Sequence, residues 1–209
     1  YDRERDLTES GRLNRIIRFN IWQNSFDKEG NTLPYPDRKI RPIVYYLNHD
    51  FPDDLKATAI DLASEWNDIF KHTVSVLQAK SFSAIEDVFI LKKNDCNINN
   101  LTKFLSENSF VKNSLEKLIE DKKLPEQLDS NSLIHWCSAA EYYSRNSQGK
   151  RKFTWQQIGD PRYNMLYWIN NITPSFFAGY GPMLGDPISG RNVVSTAYIM
   201  GWTIESSVT

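Results

Sequence analysis

The residues able to do chemistry in this chain are three histidines, two cysteines, a run of glycines and a few acidic residues. Spacing decides what each set can do. A metal centre needs several imidazoles, thiolates or carboxylates at workable intervals. His49, His72 and His135 are far apart, and none belongs to a His-x-x-x-His helix pair. Each fits a cap, surface or core role better than a ligand role. His135 and Cys137 have the composition of a nucleophile and its base, but residues two apart on a helix do not face each other. A buried or bridged cysteine suits Cys137 better. Gly179, Gly181 and Gly185 have some of the look of a phosphate loop, yet no Gly-Lys-Ser/Thr follows and no helix start is expected there. A turn and edge-strand role fits these glycines. Asp160, Arg162 and Asp186 stand beside prolines as ordinary turn residues do, and Asp53 and Asp54 read as helix-start residues before acid–base catalysts. The six tryptophans are scattered and fit a core. No catalytic or metal-binding residue is assigned.

The elements that would position such groups lie mainly in Gly159 to Trp202. Asn164 to Ile169 is a near-continuous apolar run, as in a strand covered on both faces. The aromatic, Gly-rich segment Phe176 to Leu184 follows, and Pro182, which lacks a ladder donor, places it at an edge or an irregular position. Asp186-Pro187-Ile188-Ser189-Gly190 fits a type I turn with Pro second and a left-handed Gly closing it. Val193 to Met200 is a further strand. It presents Val193, Ser195, Ala197 and Ile199 on one face and Val194, Thr196, Tyr198 and Met200 on the other.

Upstream, residues 1–12 are charged and expected to fray, and Arg15 to Trp22 alternates imperfectly, as a strand does. Asp27 to Asn31 is turn-rich, and Pro34, Pro36 and Pro42 keep the next segment extended. Ile43-Val44-Tyr45-Tyr46-Leu47 reads as a central strand. Asp50 fits an N-cap, with Pro52 early in the following helix. From Asp53 to Lys71, Leu55, Ala59, Leu62, Ala63, Trp66, Ile69 and Phe70 recur at spacings of three and four, one wide apolar stripe on a helix. Thr73 to Gln78 and Val88 to Leu91 read as strands. A strand, helix and strand in succession imply a right-handed crossover on a partly parallel sheet. From Asn94 to about Lys152 the composition turns polar, with three short helices suggested around Leu101–Leu105, Leu115–Ile119 and Ser132–Tyr143. This region reads as an insertion beside the sheet without a core of its own.

Composition narrows the function classes. A chain of 209 residues buries about 70% of its unfolded surface, so a sizeable core is possible. Twenty-five basic and 26 acidic residues leave a formal charge of −1, which gives no long-range field for nucleic acid or anionic membrane. Lys150-Arg151-Lys152 reads as a solvated turn. No apolar run reaches the roughly 20 residues of a membrane helix. The chain begins at Tyr1 without Met, so a targeting segment is expected to have been removed or to lie outside it. Two cysteines, Cys96 and Cys137, are compatible with a bridge or with two thiols. Two sequons occur, at Asn100 and Asn171, and Pro174 weakens the second.

Gly159-Asp160-Pro161-Arg162-Tyr163-Asn164-Met165-Leu166-Tyr167-Trp168 resembles a bacterial family of secreted zinc-dependent metalloproteases related to the metzincins. The likeness continues through Gly179-Tyr180-Gly181-Pro182, Asp186 to Gly190 and Thr196-Ala197-Tyr198. Arg41 to Leu47 and Glu65-Trp66-Asn67 resemble the family's first strand and first helix. These blocks span about residues 35–205, and the helical insertion and the first 35 residues match poorly.

The resemblance implies an α/β fold: the upper half of a metzincin-like catalytic domain, a twisted mixed sheet with backing helices and an antiparallel edge strand over the cleft. It divides the chain into an extension over 1–34, with a strand, and a truncated domain over 35–209 carrying the insertion at about 94–152. In that family a His-Glu-x-x-His helix follows, its histidines binding zinc and its Glu activating water. The chain stops at Thr209, so the zinc ligands are expected downstream and no zinc is expected on this chain alone. The residues carried over are those of the edge, Phe177, Gly179, Tyr180, Gly181, Pro182, Met183 and Leu184, where an extended peptide or protein substrate would add as a strand. The resemblance also favours a Cys96–Cys137 bridge and an extracytoplasmic location. The alternative is a non-catalytic peptide- or protein-binding module on a degenerate protease fold.

Overall fold

The computed structural model describes residues 15–170 and 177–208. The charged segment 1–12, Phe176 and the second sequon lie outside those residues. The described chain is α/β, with a mixed six-stranded sheet and five α-helices. It forms two compact units.

The first unit holds the described residues up to Tyr46, then Pro52–Lys92, and those from Pro161 onward. Strand β1, Ile43–Leu47, leads through a 3-10 turn at Asp53–Leu55 into helix α1, Lys56–Gln78, and then to β2, Phe89–Lys92. β1 and β2 pair in parallel, with Ile43 opposite Phe89 and Tyr45 opposite Leu91. β3, Asn164–Ile169, lies next to β1, and β6, Asn192–Met200, pairs with β3 in parallel. Two short strands, β4 (Gly179–Tyr180) and β5 (Met183–Gly185), pair antiparallel with β6. Helix α5, Gly201–Val208, follows β6 directly.

Three expectations for this unit need correction. Thr73 to Gln78 is not a strand but the last part of α1. Its β-branched residues favour a strand locally, but Phe70, Val74 and Gln78 continue one helical face. Val74 is fully buried, and Gln78 donates to the carbonyls of Tyr35 and Arg38 at 3.2 and 2.7 Å. Asp50 does not cap the helix, because the 3-10 turn intervenes and Leu55 takes the N-cap position. Arg15 to Trp22 makes only isolated bridges, Arg18 with Arg191 and Trp22 with Ile40. Trp22, Ile40, Val74, Ile85 and Val88 form a core cluster at the far end of α1. Asn67 ties α1 to the start of β2, its Oδ1 accepting from the Val88 and Phe89 amides at 2.9 and 3.1 Å.

The second unit, Leu47–Phe51 with Lys93–Asp160, contains α2 (Ile98–Glu107), α3 (Ser109–Glu120) and α4 (Leu133–Tyr143). The three expected helices are present. The insertion does have its own core, built on Leu101, Val111, Leu115, Trp136, Ala140 and Phe153 around the Cys96–Cys137 disulfide. Asn94 closes its base, donating to the carbonyls of Leu47 and Gln156 at 3.1 and 2.9 Å.

Candidate functional site

β6 is the scaffold of the edge. One side of this nine-residue strand carries β3, and the other carries the segment Phe177–Gly185. That segment is two short strands instead of one. Pro182 separates them, because its ring nitrogen cannot donate to a ladder. Its carbonyl instead accepts from the Thr196 amide at 3.3 Å and the Ser195 hydroxyl at 3.4 Å. Gly181 sits beside it in the break. Gly179 is required where β4 meets β6, since a Cβ there would lie 2.5 Å from the Tyr198 carbonyl oxygen. Met183 pairs with Ser195 and Leu184 with Val194, and the register shifts between Leu184 and Gly185.

The side chains of this edge stand in solvent. Phe177 is 70% exposed, Tyr180 52%, Leu184 58% and Met183 39%. Among the described residues no further strand pairs with β4 or β5 on the side away from β6. Unpaired edges of this kind invite addition of another extended chain.

The turn that returns the chain to β6 is organised by Asp186. Its carboxylate accepts from the Ile188 amide at 3.2 Å, the Ser189 amide at 3.1 Å and the Ser189 hydroxyl. These bonds hold its pKa below the ordinary carboxylate value, the Ser189 hydroxyl contributing most. Gly190 closes the turn at φ +71°, and a Cβ there would meet the Ile16 carbonyl oxygen at 2.5 Å. The expected left-handed Gly is therefore present, and Asp186 is a turn residue.

The remaining candidates are dispersed. His49 is partly buried beside Asp50, Nδ1 to Oδ1 3.5 Å, and against Trp155. Burial holds its pKa below 6.5, while Asp50 pulls the other way. His72 packs on Phe82, and His135 lies on α4. No group of three or more His, Cys, Asp or Glu suited to a metal ion occurs among the described residues. The zinc implied by the resemblance therefore finds no ligand set there. Asp53 pairs with Lys56. Arg162 lies over the Tyr163 ring at 5.2 Å. Arg151 is not simply a solvated turn residue, because it pairs with the buried Glu141, which also accepts from Gln157 at 2.7 Å.

Two features escaped sequence reasoning. The apolar stripe of α1 is only half covered: Ala59 and Ala63 are buried, but Leu62, Trp66 and Ile69 are half exposed. An apolar cavity of about 330 Å³ lies between this flank and the sheet, reaching Tyr45, Leu91, Leu166 and Ala197. A smaller, polar pocket is lined by Arg41, Arg162 and Arg191. The half-covered stripe carries no sequence signal, since periodicity reports a face and not what covers it. No family model, curated protein or solved structure matches the chain.

Proposed function

We propose that this chain forms the sheet and the substrate-cleft rim of an extracytoplasmic zinc-dependent endopeptidase, whose hydrolytic residues lie outside these 209 residues. The observation that carries the reading is the antiparallel edge β4–β5 on β6, with Phe177, Tyr180, Met183 and Leu184 exposed along it. An extended peptide would pair its backbone with this edge, and alternate side chains would meet the exposed aromatic and aliphatic groups. The chain's role is to hold a peptide in line and to support the groups that cut it.

The half-covered flank of α1 supports the same reading. Leu62, Trp66 and Ile69, at spacings of four and three, offer an apolar surface beside the cavity. A second helix supplied from outside these residues and packed there would lie next to α1 and cover that surface. The disulfide supports an oxidising compartment. No helix among the described residues is long and apolar enough to cross a membrane.

Zinc content and casein hydrolysis of the chain and of the longer natural protein test the reading. We expect zinc and hydrolysis only in the longer protein. Stoichiometric zinc with hydrolysis by the chain alone would refute the assignment, as would a natural protein without a His-Glu-x-x-His helix. Peptide binding by a natural protein without that helix would favour the non-catalytic binding module on the same edge.

A further inference from the structure

The half-covered flank of α1 is bordered by acid. Leu62, Trp66 and Ile69 are each preceded by an acidic residue, Asp61, Glu65 and Asp68, and all six are exposed. One residue turns a helix by about 100°, so the acidic row runs beside the apolar row for about two turns. The buried Ala59 and Ala63 lie on the other side of the apolar row. Among the described residues none of the three acids has an ion-pair partner. The two basic residues of α1 are engaged elsewhere, Lys56 with Asp53 and Lys71 with Asp87 at 3.8 Å. Asp61 and Glu65 are four apart and Glu65 and Asp68 three apart, and like charges at these spacings destabilise a helix. The chain alone thus holds an unfavourable charged row along the border of an open apolar surface.

The surface calls for a helix. The cavity of about 330 Å³ beside Leu62 and Trp66 has no charged lining residue, and its far wall is Tyr45, Leu91, Leu166 and Ala197. These stand on the face of β1, β2, β3 and β6, where the strands already pair with one another. An extended segment laid on that face would leave its own amides and carbonyls without partners, whereas a helix satisfies them internally. Apolar residues spaced by three and four on such a helix would match Leu62, Trp66 and Ile69. Lys and Arg are the complementary residues along its border with the acidic row. The chain itself runs onto this face as it leaves β6. A Cβ at Gly201, the start of α5, would lie 2.4 Å from the Trp168 ring, and Trp168 shares a sheet face with Leu166 of the cavity.

We propose that a basic amphipathic helix of the longer natural protein docks on this flank. Its apolar residues close the cavity, and its Lys or Arg residues pair with Asp61, Glu65 and Asp68. The proposal rests on the reading above, that the natural protein is longer than these 209 residues, and adds the chemistry of the helix that covers α1.

Binding of a fluorescently labelled helical peptide of leucine and lysine to the 209-residue chain tests it. The control is the same peptide with glutamate for lysine. Saturable binding of the lysine peptide, at least tenfold tighter than the control, is expected. Asp61→Asn, Glu65→Gln and Asp68→Asn together should weaken it at least fivefold, with an unfolding midpoint no lower than that of the parent. Neutralising Glu116, Glu120 and Glu126 in the other unit should leave it unchanged. The longer natural protein, whose own helix holds the site, should bind the peptide at least tenfold more weakly than the chain. No saturable binding to the chain, equal binding of the two peptides, or equal effects of the two triple variants would overturn the proposal. Undiminished binding to the longer protein would also overturn it and would give the flank to another polypeptide. Neither zinc content nor hydrolysis enters these measurements, so this proposal and the endopeptidase reading fail separately.

Discussion

Tyr180 stacks on Tyr198, ring centroids 4.8 Å apart and planes inclined by 17°. The two residues are directly opposite in the β4–β6 register. Tyr198 also meets Tyr167 of β3 at 5.8 Å, so an aromatic row crosses three strands and ends at the sheet edge. Cross-strand aromatic pairs of this kind fix register and contribute about 0.5–1.5 kcal/mol beyond area burial. The edge is therefore a positioned surface, held against β6 by a stacked ring on one side of the chain break and by the Pro182 carbonyl on the other.

Replacing Gly179 should release β4 from β6. A Cβ at this position would lie 2.5 Å from the Tyr198 carbonyl oxygen, and the neighbouring Met200 amide donates to the Ala178 carbonyl at 2.9 Å. Gly179→Ala should speed hydrogen exchange of the Met200 amide about tenfold or more, while the β1–β2 pair keeps its protection. Tyr180→Ala should cost about 1 kcal/mol in denaturant unfolding. Unchanged exchange at Met200 in Gly179→Ala would contradict the placement of β4.

The Cys96–Cys137 bridge closes a separation of 41 residues inside a core of its own. Chain entropy gives such a loop about 4 kcal/mol of stabilisation. Thiol titration of the denatured, unreduced chain should find close to none, and reduction should reveal two and destabilise the helical unit by about that amount. Two thiols before reduction would contradict the bridge.

Asp186 gives the turn a pH dependence of known sign. Its folded pKa lies below the ordinary 3.8, chiefly through the Ser189 hydroxyl. The stabilisation is therefore fully present above 3.8 and is lost as the pH falls through the depressed folded value. The stability gap between the parent and Asp186→Asn should be constant from pH 7 to pH 5 and close as acid protonates the carboxylate. Unfolding curves over that range check it, and a gap that widens in acid would contradict the hydrogen bonding described.

How far the sequence foretold this molecule depended on whether local pattern or tertiary contact decided each element. β3 was legible because Asn164 to Ile169 is apolar along its whole length, and the Asp186–Gly190 turn because Pro and Gly have few other uses there. The end of α1 was not legible. Thr73, Val74 and Val76 favour a strand, while the burial of Val74 and the bonds of Gln78 to Tyr35 and Arg38 favour the helix that is formed. The core of the helical unit was hidden because Leu101, Leu115 and Trp136 lie on three separate short helices and meet only after folding. In the edge, Pro182 and the glycines marked irregular strand, but the stacking of Tyr180 on Tyr198 depends on register, which spacing does not reveal. The polar pocket lined by Arg41, Arg162 and Arg191 was invisible for the same reason, its lining residues coming from distant parts of the chain.

Hydrogen exchange of the 209-residue chain with and without casein, an extended protein substrate, tests the central claim most directly. Addition of a peptide strand to the edge should slow exchange in Gly179 to Gly185 by about tenfold or more, with little change in the helical unit. Casein binding that protects another surface and leaves this segment unchanged would contradict the edge as the place where a peptide is held.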